Sequence, residues 1–255
     1  FGKAHLEGFG GIQGVIEGKS ELYQYLSINN KLAFINLEDS IQVQKAADLK
    51  FFSFGIKKEN ADVNIIDVKA NPFVEINFSN LIIKSHLIGL YNANNINAAL
   101  TIGKYFGVDD IAIKEGLESY IPENNRSQLL SKGTNQIILD AYNANPSSMK
   151  VAIENFLQLD NPNKIMILGD MFELGDASTQ EHLEVLKLLL DKNEIQCFFI
   201  GSAFYANKTV TTHFHFYETF DSFSEYLKEI KIVNSVVLIK GSRGMALERT
   251  LQFFS

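Results

Sequence analysis

The chain has 255 residues, and a typical domain size of about 150 residues predicts roughly two domains. Hydrophobic residues make up 46% and charged residues 21% of the chain, which is typical of a globular protein and excludes a disordered or fibrous one. The net charge is −7 and no block of Lys or Arg is present, so we expect no nucleic-acid partner. The sequence also lacks the apolar run of about 20 residues that membrane insertion needs.

A single cysteine, Cys197, lies in the apolar segment Gln196–Ile200. One cysteine forms no disulfide within the chain and no multi-cysteine metal site, so we expect a buried, unreactive thiol. This cysteine usage, and the lack of a signal-like segment after Phe1, favour a cytoplasmic location. Nothing in the composition demands an oligomer, and we expect a monomer.

The first half of the chain predicts a helix followed by short strands. Behind the glycine-rich Gly8–Gly11, apolar residues at helical spacing predict a helix over Ile12–Leu26. Five β-type runs follow, at Leu32–Ile35, Phe51–Phe54, Val63–Val68, Phe73–Phe78 and Leu81–Ile83. Turn residues between the last three runs predict an antiparallel meander. Helices over Asn94–Phe106 and Ile111–Ser119 then lead to a linker at Ile121–Asn125.

Beyond the linker, strands and helices alternate. The predicted strands are nearly continuous apolar runs, at Gln136–Leu139, Lys164–Leu168, Gln196–Ile200, Phe214–Tyr217 and Ser235–Ile239. The predicted helices are Ser147–Leu159, Thr179–Lys192, Ser222–Ile230 and Met245–Phe253. This alternation predicts an α/β fold with a mostly parallel sheet.

Polar loops follow three of these strands, at Asp140–Pro146, Gly169–Gly175 and Lys240–Gly244. In open α/β sheets, ligands bind beyond the carboxyl ends of the strands. The sequence therefore predicts a polar crevice of mixed charge at this edge of the second domain.

The segment Gly14–Ser20 looks like a phosphate-binding loop but does not meet its requirements. Three residues instead of four separate its glycines, and it lies within a predicted helix with no strand before it. A phosphate-binding loop needs free backbone N–H groups, whereas a helix uses them internally. We expect no phosphate loop here.

Several polar residues have both a structural and a functional interpretation. Taken alone, His5 is most simply a loop residue bonded to backbone, and Lys19 a solvated helix lysine. Asn92 and Asn95 begin a helix, so one of them could cap it, or together they could present amides to a flat heterocycle.

Two residues that follow the linker also have both a structural and a functional interpretation. Arg126 could clamp a phosphate or pair with an acid. Asp140, at a strand's carboxyl end, could hold a ribose hydroxyl or cap the following loop.

The order of the motifs decides between these interpretations. The chain carries, in sequence, Ala4–Gly10, Lys19–Leu22, Gly89–Asn95, Asp140–Pro146, Gly169–Gly175 and Lys240–Arg243. In this order, and over nearly the whole chain, the motifs resemble those of the Mur ligase family. The segments Asp140–Pro146 and Gly169–Gly175 are similar to those of the members that add D-alanyl-D-alanine to a UDP-N-acetylmuramoyl-tripeptide.

The resemblance implies an α/β fold in two parts. Residues 1–122 would be the remainder of a central ATPase domain, and 123–255 a Rossmann-like C-terminal domain with a mostly parallel sheet. The family's first domain and its phosphate loop have no counterpart in this sequence, so we expect a fragment that does not carry out ligation alone.

The resemblance also implies roles for single residues. His5 matches a magnesium-binding histidine, and Lys19 a lysine that CO₂ converts to a carbamate, whose oxygens suit Mg²⁺. Asn92 and Asn95 match residues near the adenine of ATP. The remaining nucleotide contacts would be Arg126 on the phosphates and Asp140 on the ribose.

The polar loops match places where the family orients the peptide and the incoming dipeptide; the residues concerned are Asn143, Asn145, Asp170, Glu173, Lys240, Ser242 and Arg243. In the implied reaction, the γ-phosphoryl group of ATP moves to the tripeptide's terminal carboxylate, forming an acyl phosphate. The amine of D-Ala-D-Ala then attacks the carbonyl and phosphate leaves.

Two positions depart from the family pattern. Asn125 stands where a glycine is frequent, and asparagine tolerates a left-handed backbone better than most residues. Ala141 stands where a serine is frequent, so any ligand contact of that hydroxyl would be lost. Two alternative functions stay open: a folylpolyglutamate synthase-like ligase, and a non-catalytic module that binds a nucleotide or peptide.

Overall fold

A computed structural model of the chain describes residues 1–123 and 125–254. Contacts divide it into two compact units, Phe1–Gly2 with Phe9–Ile121 and Lys3–Gly8 with Pro122–Ser255. The division in the main chain falls between residues 121 and 122, within the predicted linker Ile121–Asn125. The short segment Lys3–Gly8, placed in the first domain by its position in the sequence, makes its contacts with the second unit.

The first half of the chain forms two three-stranded sheets and their helices. In chain order the elements are α1 (Leu6–Phe9), α2 (Ile12–Ile28), β1 (Leu32–Asn36), α3 (Ser40–Lys45), β2 (Lys50–Ile56), β3 (Val63–Ile65), β4 (Asp67–Ala70), β5 (Phe73–Phe78), β6 (Leu81–Ile88), α4 (Ala93–Tyr105) and α5 (Asp110–Ser119). Strands β1, β2 and β3 are parallel, whereas β4, β5 and β6 form the antiparallel meander. The short helices α1 and α3 were not predicted.

The predicted strand Val63–Val68 is wrong as a single element. It divides at Ile66, because β3 pairs with β2 in one sheet and β4 with β5 in the other. Ile65 is fully buried, whereas Ile66 is exposed and donates its N–H to Asn77. A continuous apolar run therefore serves two sheets in turn.

The second half forms one six-stranded sheet with helices between its strands. The elements are β7 (Gln128–Lys132), β8 (Asn135–Asp140), α6 (Pro146–Leu157), β9 (Lys164–Gly169), α7 (Ser178–Leu189), β10 (Ile195–Ile200), α8 (Ser202–Ala206), β11 (Phe214–Tyr217), α9 (Phe220–Glu229) and β12 (Val236–Lys240). The strand order is β11-β10-β9-β12-β8-β7, and all neighbours are parallel except β7 and β8. The mostly parallel sheet is confirmed.

Three details of this half differ from the prediction. The edge strand β7 and the short helix α8 were not predicted. The segment predicted as helix Met245–Phe253 forms 3₁₀ turns over Arg243–Met245 and Leu247–Phe253 instead. Ala246 lies between the turns with φ 48°, a left-handed conformation that interrupts a regular helix.

The core of the second unit lies on the central strands, where all residues of β12 are buried. Cys197 is also fully buried, and burial raises the pKa of its thiol to about 12. The predicted buried thiol is confirmed. Among the described residues, no helix is both long and apolar enough to span a bilayer.

Candidate functional site

The three predicted polar loops follow strands that are neighbours in the sheet. Strand β12 lies between β8 and β9, and all three run in the same direction. The loops after Asp140, Gly169 and Lys240 therefore begin side by side at the carboxyl edge. Hydrogen bonds between the loops hold this edge together.

Asp140 and Lys240 form the innermost contact of the edge. They are direct partners in the register of β8 and β12, and Lys240 Nζ lies 2.5 Å from Asp140 Oδ2. The lysine side chain is 2% exposed and the aspartate side chain 15%. The ammonium also donates to the carbonyl oxygen of Asn143 at 3.3 Å, and Asp140 Oδ1 accepts from the N–H of Ser127 at 3.2 Å.

Arg126 projects from a tight turn next to Asp140. Asn125 and Ser127 on either side have φ of 59° and 47°, so the expected left-handed backbone at Asn125 is confirmed. The guanidinium carbon lies 3.7 Å from the centre of the Tyr142 ring, and Tyr142 donates its N–H to the Asn125 carbonyl oxygen. Among residues 1–123 and 125–254, no carboxylate forms an ion pair with Arg126. The alternative in which it pairs with an acid is not what the structure shows.

The loop after β8 ends in a helix cap. Asn145 Oδ1 accepts from the N–H of Ser148, and Ser148 Oγ accepts from the N–H of Asn145, a reciprocal capping box at the start of α6. Asn143 is exposed, whereas Ala141 is fully buried in the core. A side chain at position 141 therefore faces the core, so alanine there changes packing and not the exposed edge.

Asp170 is buried beneath the second loop. Its two carboxylate oxygens each accept a backbone N–H at 2.9 Å, from Ala203 and Phe204 in the first turn of α8. Gly201 makes this approach possible, since a Cβ there would lie 2.3 Å from the Asp170 carboxyl carbon. The carboxylate is thus engaged by the fold and not presented at the surface.

Two further side chains fix the same loop. His182, fully buried on α7, accepts the N–H of Met171 at its Nε2 at 3.0 Å, and its Nδ1 lies 2.7 Å from the Ser178 carbonyl oxygen. These partners require the neutral tautomer with the proton on Nδ1. Ser242 donates its N–H to the Asp170 carbonyl oxygen and accepts the N–H of Phe172 at its Oγ.

Glu173 is the exposed carboxylate of this loop and contacts His5. Its backbone is left-handed, with φ of 61°, and one carboxylate oxygen contacts Nδ1 of His5. The N–H of Glu7 donates to the Glu173 carbonyl oxygen at 3.1 Å, and Lys3 pairs with Glu181 at 2.6 Å. The His5 segment is therefore bound along the second loop and α7.

Arg243 is the exposed residue of the third loop. It pairs with Glu248 at 2.7 Å, whereas its neighbour Ser242 is buried and donates to the Ala144 carbonyl oxygen. Of the seven residues expected to orient substrate, Asn143, Glu173 and Arg243 are thus the exposed ones.

The candidate residues of the first unit lie on two helices. Lys19 is exposed on α2, and Gly14–Ser20 lies inside this helix, so the predicted helix over this segment is confirmed. Asn92, just before α4, donates its amide to the Ile88 carbonyl oxygen and accepts from the amide of Asn95 at 3.0 Å. The two asparagines therefore form one bonded pair.

Comparison with known proteins assigns the fold. The family profile for the Mur ligase middle domain matches residues 1–103, and that for the Mur ligase glutamate ligase domain matches 125–243. The chain belongs to the Mur ligase family. The expected fold, a Mur ligase central domain followed by its C-terminal domain, is confirmed.

Curated relatives include UDP-N-acetylmuramoyl-tripeptide–D-alanyl-D-alanine ligases from Bacillus subtilis, at 28% identity over 98% of this chain, and from Haemophilus influenzae, at 30% over 96%. Among solved structures, MurF of Acinetobacter baumannii superposes with a TM-score of 0.79 at 27% identity over 98% of this chain. MurF of Thermotoga maritima in complex with ADP gives 0.80 at 25% over 99%. The chain spans 55–59% of the length of these four proteins.

Metal-ligating side chains are not clustered in the described part of this Mur ligase chain. Within residues 1–123 and 125–254, no three His, Cys, Asp or Glu side chains are grouped closely enough to hold a metal ion. His5 contacts the carboxylate of Glu173, and Lys19 is exposed on α2. Mg²⁺ in nucleotide sites is usually held by one or two protein groups together with phosphate oxygens and water, so the expected roles of His5 and Lys19 at the metal stay predictions.

Two residues that organise this edge were not expected from the sequence, and a third, Lys240, was expected in a different role. His182 and Tyr142 contact Met171 and Arg126, and neither carried a recognisable signal beyond lying in or near a motif. Lys240 was expected near substrate, yet it is buried. The apolar run that precedes it, Val236–Ile239, was the available sign that the strand continues into the core.

Proposed function

We propose that the protein is an ATP-dependent ligase that joins D-alanyl-D-alanine to a UDP-N-acetylmuramoyl-tripeptide. The observation that carries the proposal is the match of this chain, over 96–99% of its length, to curated ligases of that name from several bacteria. The proposal places the protein in the cytoplasm, in the synthesis of the peptidoglycan precursor.

Arg126 and Asp140 would bind the nucleotide from the second unit. The guanidinium of Arg126 is exposed, lies over the Tyr142 ring and keeps its donors available for phosphate oxygens. The Asp140 carboxylate is held at both oxygens but retains lone pairs that could accept from ribose hydroxyls. The bonded amides of Asn92 and Asn95 would lie against the adenine.

The exposed side chains of the three loops would orient the acyl substrates. Asn143 offers an amide, Arg243 a guanidinium suited to a carboxylate, and Glu173 an acceptor for the dipeptide amine. Asn145 would contribute only its amide nitrogen, because its oxygen caps α6.

In the proposed reaction, the γ-phosphoryl group moves from ATP to the tripeptide's terminal carboxylate, and ADP is the leaving group. The dipeptide amine then attacks the carbonyl carbon and displaces phosphate. Catalysis of such a transfer depends almost wholly on positioning and charge stabilisation. Buried hydrogen bonds beneath the loops supply this positioning in the second unit, because they leave few alternative loop conformations. Lys19, exposed on α2, would act as its carbamate, formed from the neutral amine and CO₂ with release of one proton.

The test uses the complete coding sequence, purified and supplied with ATP, magnesium and UDP-N-acetylmuramoyl-tripeptide. ADP release is followed with and without D-Ala-D-Ala, and the pentapeptide product is identified by mass. We expect release that requires the dipeptide. ADP release that requires folate and glutamate instead would establish the folylpolyglutamate synthase-like alternative. Nucleotide binding without turnover would leave a binding module.

A further inference from the structure

Lys240 lies where a charged side chain is least expected. It is the last residue of β12, which has a neighbouring strand on each side, and it is among the largest fully buried side chains of the described chain. A lysine is almost never fully buried unless an opposite charge compensates it. Asp140 supplies that charge at 2.5 Å, from the adjacent strand and in direct register.

The contact with Lys240 fixes the orientation of the Asp140 side chain. The carboxylate accepts the ammonium at Oδ2 and the N–H of Ser127 at Oδ1, so both oxygens are held and the side chain has one orientation. That orientation leaves the aspartate partly exposed while the lysine is closed off from solvent. A ligand that reaches Asp140 therefore does not reach the Lys240 ammonium.

We propose that Lys240 is a positioning residue that sets the Asp140 carboxylate for the nucleotide ribose, and does not itself contact substrate. The inference deepens the proposed function and rests on it. Through its second bond, to the Asn143 carbonyl oxygen, the same ammonium connects the start of the Asp140–Pro146 loop to the strand end. Lys240 thus acts on ligands only through the groups it holds.

The test is a double-mutant cycle in the complete protein, with Lys240→Met, Asp140→Asn and both together. Methionine keeps most of the lysine's length but removes the charge. ADP affinity is measured by calorimetry, and KM and kcat for ATP and the dipeptide by ADP release. Lys150→Met, an exposed lysine on α6, is the matched control and should leave all these values unchanged.

We expect Lys240→Met to weaken ADP binding by about tenfold or more, the size of one lost hydrogen bond to a charged group. The loss should appear mainly in KM for ATP, with kcat and KM for the dipeptide changed less. In the Asp140→Asn background, Lys240→Met should weaken ADP binding by less than about twofold, because its only route to the nucleotide is already gone. The double variant removes both members of the ion pair and leaves no uncompensated buried charge, and melting curves of all variants show that each one compared is folded.

Two results would overturn the inference. A Lys240→Met protein that melts at a lower temperature but binds ADP like the parent has lost only structure. A further tenfold loss on top of Asp140→Asn would mean that the ammonium contacts the nucleotide directly. A parent protein that neither binds ADP nor ligates would instead overturn the proposed function, and this inference with it.

Discussion

The two units hold their candidate residues in opposite ways. In the second unit, Asp140, Asp170 and Ser242 are connected to other strands, helices or loops by hydrogen bonds beneath the surface. In the first unit, Lys19 is exposed on a helix, and the amide of Asn95 donates to Asn92, three residues earlier. Parallel strands bring distant residues together at one edge, whereas a helix surface presents its residues singly.

The difference teaches where preorganisation comes from in this chain. The polar edge of the second unit is fixed by the fold, because each loop is attached to its neighbour through a buried group. Lys19 of the first unit is exposed, and under the proposed function it would gain its role at the metal only after reaction with CO₂. Substitutions of the buried polar groups of the second unit should therefore affect stability and activity together, whereas a substitution at Lys19 should affect activity alone.

Lys19→Ala gives the largest expected effect and tests the exposed side of this comparison. We expect ligation by the complete protein to fall by about a hundredfold or more, the usual cost of removing a group that stabilises charge in a transition state. Thermal stability should stay within about 0.5 kcal/mol, because the side chain is exposed. ADP release and a melting curve measure both. A large fall in melting temperature would mean that Lys19 is part of the fold.

Asp170→Ala tests the buried polar groups of the second unit. Two backbone N–H groups of α8 would lose a charged acceptor in a buried setting, so we expect unfolding free energy to fall by about 3 kcal/mol. Asp176→Ala, an exposed aspartate six residues on, is the control and should change stability by less than about 0.5 kcal/mol. Thermal denaturation distinguishes them, and equal behaviour of the two variants would contradict the structural role of Asp170.

Gly201→Ala tests one contact of the buried Asp170 carboxylate, its close approach to Gly201. The new Cβ would collide with the Asp170 carboxylate, and φ of 125° strains any other residue, so we expect a loss of about 2 kcal/mol or more. Gly116→Ala, in the interior of α5 with open space around its Cβ position, should instead stabilise the protein by about 0.5–1 kcal/mol. Opposite shifts in melting temperature are the expected outcome, and shifts of the same sign would contradict it.

His215 gives the smallest effect. Burial, and to a lesser extent the charge of His213, lower the pKa of His215 below its ordinary 6.5. The unfolded chain therefore takes up a proton first as the pH falls below about 6.5, and its contribution to stability is lost down to the folded pKa. We expect His215→Gln to reduce slightly the slope of the unfolding free energy against pH just below pH 6.5, measured by denaturation at a series of pH values. An unchanged slope would assign the pH dependence to other groups.

The sequence was sufficient to predict the five parallel strands of the second unit's sheet, but not the edge strand β7 or the buried contacts beneath the loops. Apolar runs such as Val236–Ile239 predict buried parallel strands, and parallel strands place the polar loops side by side. The burial of Lys240 depends on its register with Asp140, one hundred residues earlier, and no local pattern contains that information. The capture of Asp170 by the first turn of α8 is likewise a contact between distant segments.

The spacing of apolar residues led to a wrong prediction in two segments, because the same spacing is compatible with more than one structure. Apolar residues over Met245–Phe253 fit an α-helix, but the left-handed Ala246 leaves two 3₁₀ turns. The run Val63–Val68 fits one strand, yet its two halves pair in different sheets. The spacing of apolar residues indicates which side chains face a core. The pairing partners decide where an element ends and which sheet it joins.

The capping box at Asn145 affects how this position can change over evolutionary time. Its oxygen accepts a hydrogen bond at the start of α6, and under the proposed function its amide nitrogen would contact substrate, so two separate demands would act on one side chain. Serine, threonine or aspartate would keep the cap while giving up the amide. If position 145 is always asparagine in related chains, that invariance does not reveal which of the two demands preserved it. A related chain with serine at this position would show that the helix cap was retained and the amide was not required.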